Sequence, residues 1–125
     1  MQIIPTKLNR PAIDNRWIAR PRLLTVLDDT LSKKLTLISA PAGYGKTTLI
    51  AQWLDYTATP SAWLALDRHD GDPDRFLRYL TAAVRHIVSD FGPSLDAFYS
   101  ATVLPPPEYL ADALIAELIS FVRRR

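Results

Sequence analysis

The chain has no cysteine, which excludes disulfides, thiol nucleophiles and cysteine-based zinc sites. Histidine is nearly as scarce: His69 and His86 are the only two, and their spacing matches no ligand pair. Long apolar runs are missing too, and nothing approaches the roughly 20 apolar residues of a membrane-spanning helix. The first ten residues hold Pro5, Lys7 and Arg10 where a secretory signal would be apolar. These absences set the expectation of a cytoplasmic location and no membrane partner. Charge of one sign is also lacking, since the net charge is +2, too little for the electrostatic footprint of a nucleic-acid binder. Only four glycines occur in 125 residues, and Gly43 and Gly45 flank a single tyrosine.

That glycine pair lies in the most informative stretch. Residues 40 to 48 read Ala-Pro-Ala-Gly-Tyr-Gly-Lys-Thr-Thr, after the apolar run Leu35-Thr36-Leu37-Ile38-Ser39. The pattern is the phosphate-binding GxxxxGK followed by Ser or Thr, with Ala40 replacing the first glycine. A nucleoside triphosphate crowds negative oxygens together, and backbone N–H groups reach them only where no side chain intervenes. Gly43 and Gly45 permit that approach and accept positive φ. A helix starting near Lys46 aims its free N–H groups and positive dipole end at the same place. Lys46 adds a mobile charge for the β and γ phosphates, and Thr47 a hydroxyl for Mg²⁺. The expected ATP/ADP site is therefore Ala40, Pro41, Ala42, Gly43, Tyr44, Gly45, Lys46, Thr47 and Thr48. Lys46 and Thr47 would carry any chemistry, and Thr47 would be the metal contact. Tyr44 could cover a nucleotide or face solvent equally well. A bare glycine turn beside a surface lysine would not also have a β-type run before it and an apolar-faced helix (Leu49, Ile50, Trp53, Leu54) after it.

Elsewhere, residues 1–19 read as irregular. Pro21 opens a helix to about Ser32, with Leu23, Leu24, Leu27 and Leu31 as its stripe. A strand is expected at about 34–39 and a helix at 46–56, with a break at Thr59-Pro60. Ala62-Trp63-Leu64-Ala65-Leu66 is a continuous apolar run ending at Asp67, as in a strand buried on both faces. Strand, helix and strand in that order imply a right-handed βαβ unit. Asp72-Pro73 starts an amphipathic helix to about 89 through Phe76, Leu77, Leu80, Ala83, Val84, Ile87 and Val88. Phe91-Gly92-Pro93 stops it, and 94–104 is ambiguous. Pro105-Pro106-Pro107 opens a last helix with Leu110, Leu114, Leu118, Phe121 and Val122 on one side.

Other candidates have plainer explanations. The acid-rich stretch from Asp67 to Asp74 fails as a calcium loop begun at Asp70, because Arg75 and Thr81 occupy the glycine and glutamate positions. Turn and cap duty suits these aspartates better. Asp67, ending an apolar run, also fits the Mg²⁺-associated acid of a compact P-loop phosphotransferase. That alternative stands beside simple closure of a strand. Trp53 and Trp63 are read as core residues, and His86 as half-exposed. Arg123-Arg124-Arg125 suits a helix C-terminus better than nucleic-acid contact.

Several segments together resemble a known family. Thr6-Lys7-Leu8, Arg20-Pro21-Arg22-Leu23-Leu24, the run Lys34 to Leu49, Ala51-Gln52-Trp53-Leu54, Ala62 to Asp67 and Asp72 to Leu80 are similar to the N-terminus of MalT-like, LuxR-family ATP-dependent transcriptional regulators. These are STAND-class P-loop NTPases. The resemblance implies an ATP-driven switch with slow ATPase activity, binding nucleotide, an inducer, further copies of itself and promoter DNA. It implies that Arg20-Pro21-Arg22 lines the nucleotide base. Walker B, sensor, inducer and helix-turn-helix regions would follow later in such proteins. Residues 1–125 are accordingly expected to be the N-terminal part of a P-loop nucleotide-binding domain with little turnover of its own. The expected fold class is α/β, an incomplete three-layer P-loop NTPase-like fold with parallel strands near 34–39 and 61–66. A non-catalytic interaction module is the remaining alternative.

Overall fold

The computed structural model describes residues 2–103 and 105–122, and the side chains of Phe121 and Val122 lie outside that description, as do Arg123-Arg124-Arg125. The chain divides into two compact units, Arg10–Ser61 and the pair of segments Met1–Asn9 and Ala62–Arg125. Among the described residues the regular structure is five α-helices and three short 3₁₀ turns.

In the first unit, α1 spans Pro21–Asp28 and α2 spans Lys46–Thr57. Pro21 suits the first position of α1, where its missing N–H would be unpaired in any case. A 3₁₀ turn, Asp29–Ser32, continues α1, so the expected end near Ser32 is reached by a tighter winding. Leu27, Leu49 and Trp53 form the unit's buried cluster, with Leu23, Leu24, Ile38 and Leu54 packed against it. The Trp53 indole is buried yet satisfied, donating from Nε1 to Asp28 Oδ1 at 2.9 Å. Leu31, expected in the stripe, is 57% exposed because the 3₁₀ winding turns it off the helix face.

In the second unit, α3 spans Pro73–Val84, α4 spans Pro93–Tyr99 and α5 spans Pro107–Val122. Asp72 is the N-cap of α3 by position, though its side chain makes no capping bond. The helix stops at Val84 rather than near 89, and the chain turns through His86 and Ile87. The ambiguous stretch resolves into α4, started by Gly92 at φ 75. One core cluster joins Leu77 to Phe91, Leu95, Leu110 and Leu114, with Leu118 packed against it. On another side of α3, Tyr79 and Ala83 pack with Leu8. The tyrosine hydroxyl accepts from the Ile4 amide at 3.0 Å, which ties the N-terminal segment to α3.

The expected α/β class is overturned: no strand forms among the described residues. A strand is a property of pairing, since its N–H and C=O groups need a neighbouring chain. Residues 34–39 find none, and Leu35 and Leu37 are 88% and 87% exposed. The run 61–66 makes a single cross-segment bond, Ala65 N–H to the Lys7 carbonyl at 2.9 Å, with a 3₁₀ turn rather than a strand. Leu64 packs near Leu8 while Leu66 stays 61% exposed, so that run is buried on one side at most. No parallel sheet and no βαβ unit result.

Candidate functional site

Residues 40–48 are the sequence-expected site, and the local geometry there is specific. A turn closes from the Tyr44 amide to the Pro41 carbonyl at 3.4 Å. Gly43 and Gly45 then take φ 88 and 76, both in the left-handed region that side chains disfavour. Gly45 is the N-cap of α2 and has no side chain with which to cap it. The first helical amide to find a carbonyl is that of Leu49, which donates to Gly45 at 2.9 Å. The amides of Lys46, Thr47 and Thr48 therefore have no acceptor within the helix. The first turn of α2 carries no acidic residue, since the helix begins Lys-Thr-Thr.

The side chains divide by role. The Lys46 ammonium reaches back and donates to the Ala40 carbonyl, bridging the two ends of the loop. Thr47 is exposed and Thr48 half-buried. Tyr44 is 65% exposed and projects into solvent. A residue outside the expected set also reaches the loop. Arg20 Nη1 donates to the Tyr44 carbonyl at 3.4 Å, and Arg20 Nη2 lies 2.7 Å from where a Cβ on Gly45 would stand. A side chain at Gly45 would displace that guanidinium, and at φ 76 its backbone would be strained in any case. In the sequence, Arg20 was marked solely by its place in the Arg20-Pro21-Arg22 segment.

Asp67 belongs to the other unit, and its surroundings explain it without phosphoryl chemistry. Asp67 and Asp70 form a reciprocal capping box on the 3₁₀ turn Arg68–Gly71. Asp67 accepts from the His69 amide at 2.7 Å and from Lys7 Nζ at 3.0 Å. Asp70 is buried, accepting from Lys7, from the Asp67 amide at 2.8 Å and from Arg75 Nε at 3.0 Å. Both cations also lie over the Tyr79 ring, at 4.9 and 5.2 Å. The Lys7 hydrogen bond, reinforced by the Asp67 amide, outweighs burial and holds the Asp70 carboxyl down at about 2. Asp67 is likewise lowered, first by Lys7 and then by the His69 amide. Lys7 in turn is raised, chiefly by Asp70. Carboxylates so fully engaged serve the fold. Sequence spacing could not find this cluster, because Lys7 is sixty residues from its partners.

No protein-family model matches the chain. Over 83 residues it is 47% identical to the HTH-type transcriptional regulator MalT of Yersinia enterocolitica, a match covering 66% of this chain and 9% of that protein. The MalT regulators of Serratia proteamaculans and Cronobacter sakazakii are each 46% identical over the same extent. The chain thus spans about a tenth of the length of the curated relatives it matches. The family resemblance is real: over those residues the sequence is MalT-like. No helix among the described residues is long and apolar enough to cross a membrane.

Proposed function

We propose that this MalT-like chain binds ATP or ADP through residues 40–48 and contributes the nucleotide-responsive element of a transcriptional switch. The observation that carries the reading is the loop itself. Two left-handed glycines lead into a helix whose first amides are unpaired and whose first side chain is a lysine. Polyphosphate oxygens are the natural acceptors for such a set of donors. Lys46, now on the Ala40 carbonyl, is the mobile charge that would turn to the β and γ phosphates. Among the described residues no group of three or more His, Asp or Glu side chains converges to hold a metal. The exposed Thr47 hydroxyl would be this segment's ligand to a Mg²⁺ ion held chiefly by phosphate oxygens and water. When bound, the ion would neutralise phosphate charge. In a regulator of the relatives' kind, the nucleotide state would govern response to an inducer, self-association and promoter binding in the cytoplasm.

Isothermal calorimetry with the folded chain tests this. ATP and ADP with magnesium should give a measurable binding heat, and Lys46→Ala should weaken affinity about ten- to a hundredfold, the range for a hydrogen bond to a charged group. Folded protein that takes up neither nucleotide would refute the reading.

A further inference from the structure

Two cations converge on the loop from its two ends, and neither has a carboxylate partner among the described residues. Lys46 holds the Ala40 carbonyl, and Arg20 holds the Tyr44 carbonyl through one long bond of 3.4 Å. Arg16, Arg75, Arg78 and Arg85 each sit on an aspartate, whereas Arg20, like Arg10, Arg22 and Arg68, has no ion pair among the described residues. A guanidinium has five N–H donors in a rigid fork, and this one uses a single donor on a weak neutral acceptor. It is nevertheless placed: its Nη2 fills the space beside Gly45, and the Ile18 carbonyl two residues earlier accepts from Gln52 Nε2 of α2 at 3.4 Å.

We propose that Arg20 is a second phosphate-contacting cation, forming with Lys46 a two-point clamp selective for diphosphate and longer polyphosphate groups. This rests on the nucleotide reading of residues 40–48 and names a residue and a ligand class beyond it. Two positive charges that reach different carbonyls of one short loop match a chain of phosphates better than a single phosphate. The clamp also makes ligand occupancy bear on the segment before α1, because Arg20 exchanges the Tyr44 carbonyl for phosphate oxygens when ligand enters.

The experiment uses ADP, inorganic tripolyphosphate and inorganic phosphate as calorimetric probes at two salt concentrations. Wild-type chain should bind tripolyphosphate and ADP well ahead of phosphate. Arg20→Ala should weaken ADP and tripolyphosphate about tenfold, the effect of one lost charge-assisted hydrogen bond, and should flatten the salt dependence. Arg20→Lys should recover part of the affinity and Arg20→Gln none. If Arg20→Ala disturbs the helical circular dichroism, the Lys and Gln variants decide. Arg20→Ala or Arg20→Gln binding within twofold of wild type, with unchanged salt dependence, overturns the clamp and leaves the nucleotide reading standing. Tighter binding by Arg20→Ala also overturns it, marking Arg20 as a plug that ligand must displace. Folded wild-type chain that binds no probe defeats the nucleotide reading itself, and the clamp with it.

Discussion

Single residues carry two kinds of electrostatics in this chain. Lys46 and Arg20 have no carboxylate partner among the described residues and are poised on backbone carbonyls. Lys7 and Arg75 are cations consumed by a buried aspartate. The second kind has a pH signature. The Asp70 carboxyl is lowered from 3.8 to about 2, so its contribution to folding is complete above pH 4. It disappears as the pH falls from 4 towards 2, where the folded-state carboxylate gains its proton. Urea midpoints followed by circular dichroism should therefore drop across that interval. Asp70→Asn should lower stability at pH 7 and flatten the acid limb. A variant whose acid limb stays as steep as wild type would show that other carboxylates drive it.

At the scale of elements, the sequence named the helices well and the strands wrongly. Pro21, Gly45-Lys46 and Asp72-Pro73 mark helix starts, because cap and first-turn chemistry is local. The end of α2 shows the same locality. Ala58 follows it at φ 53, a left-handed position better suited to glycine. Ala58→Gly should raise stability by about 0.5–1 kcal/mol in a denaturant titration, the Cβ strain removed less the added chain entropy. The strand-like run 34–39 makes the opposite point. Its alternating Leu35 and Leu37 face solvent, so Leu37→Lys should change stability by less than about 0.5 kcal/mol. A loss of several kcal/mol would mean that the side chain is buried after all. In the second unit Leu95 is fully buried between α4 and its neighbours, and Leu95→Ala should cost about 2–5 kcal/mol.

At the scale of the molecule, what could be read from the sequence and what could not divide along range of interaction. The left-handed turns at Gly43 and Gly45 and the helix start at Lys46 were legible because they arise within a few consecutive residues. MalT-like kinship was legible in the same way, from contiguous words of sequence, and the 47% match bears it out. The Lys7–Asp70–Arg75 cluster, the Arg20 contact with Gly45 and the docking of Ile4 on Tyr79 join residues far apart in the chain, so no periodicity announces them. By itself the amino-acid order determined where helices begin, where backbone must turn left-handed and that Lys46 stands at the end of the loop, since sterics and capping act over a few bonds. Only the tertiary structure decided that the two apolar runs remain unpaired and that Asp67 is spent on a cap, because strand formation and ion pairing depend on which distant segment comes to lie alongside.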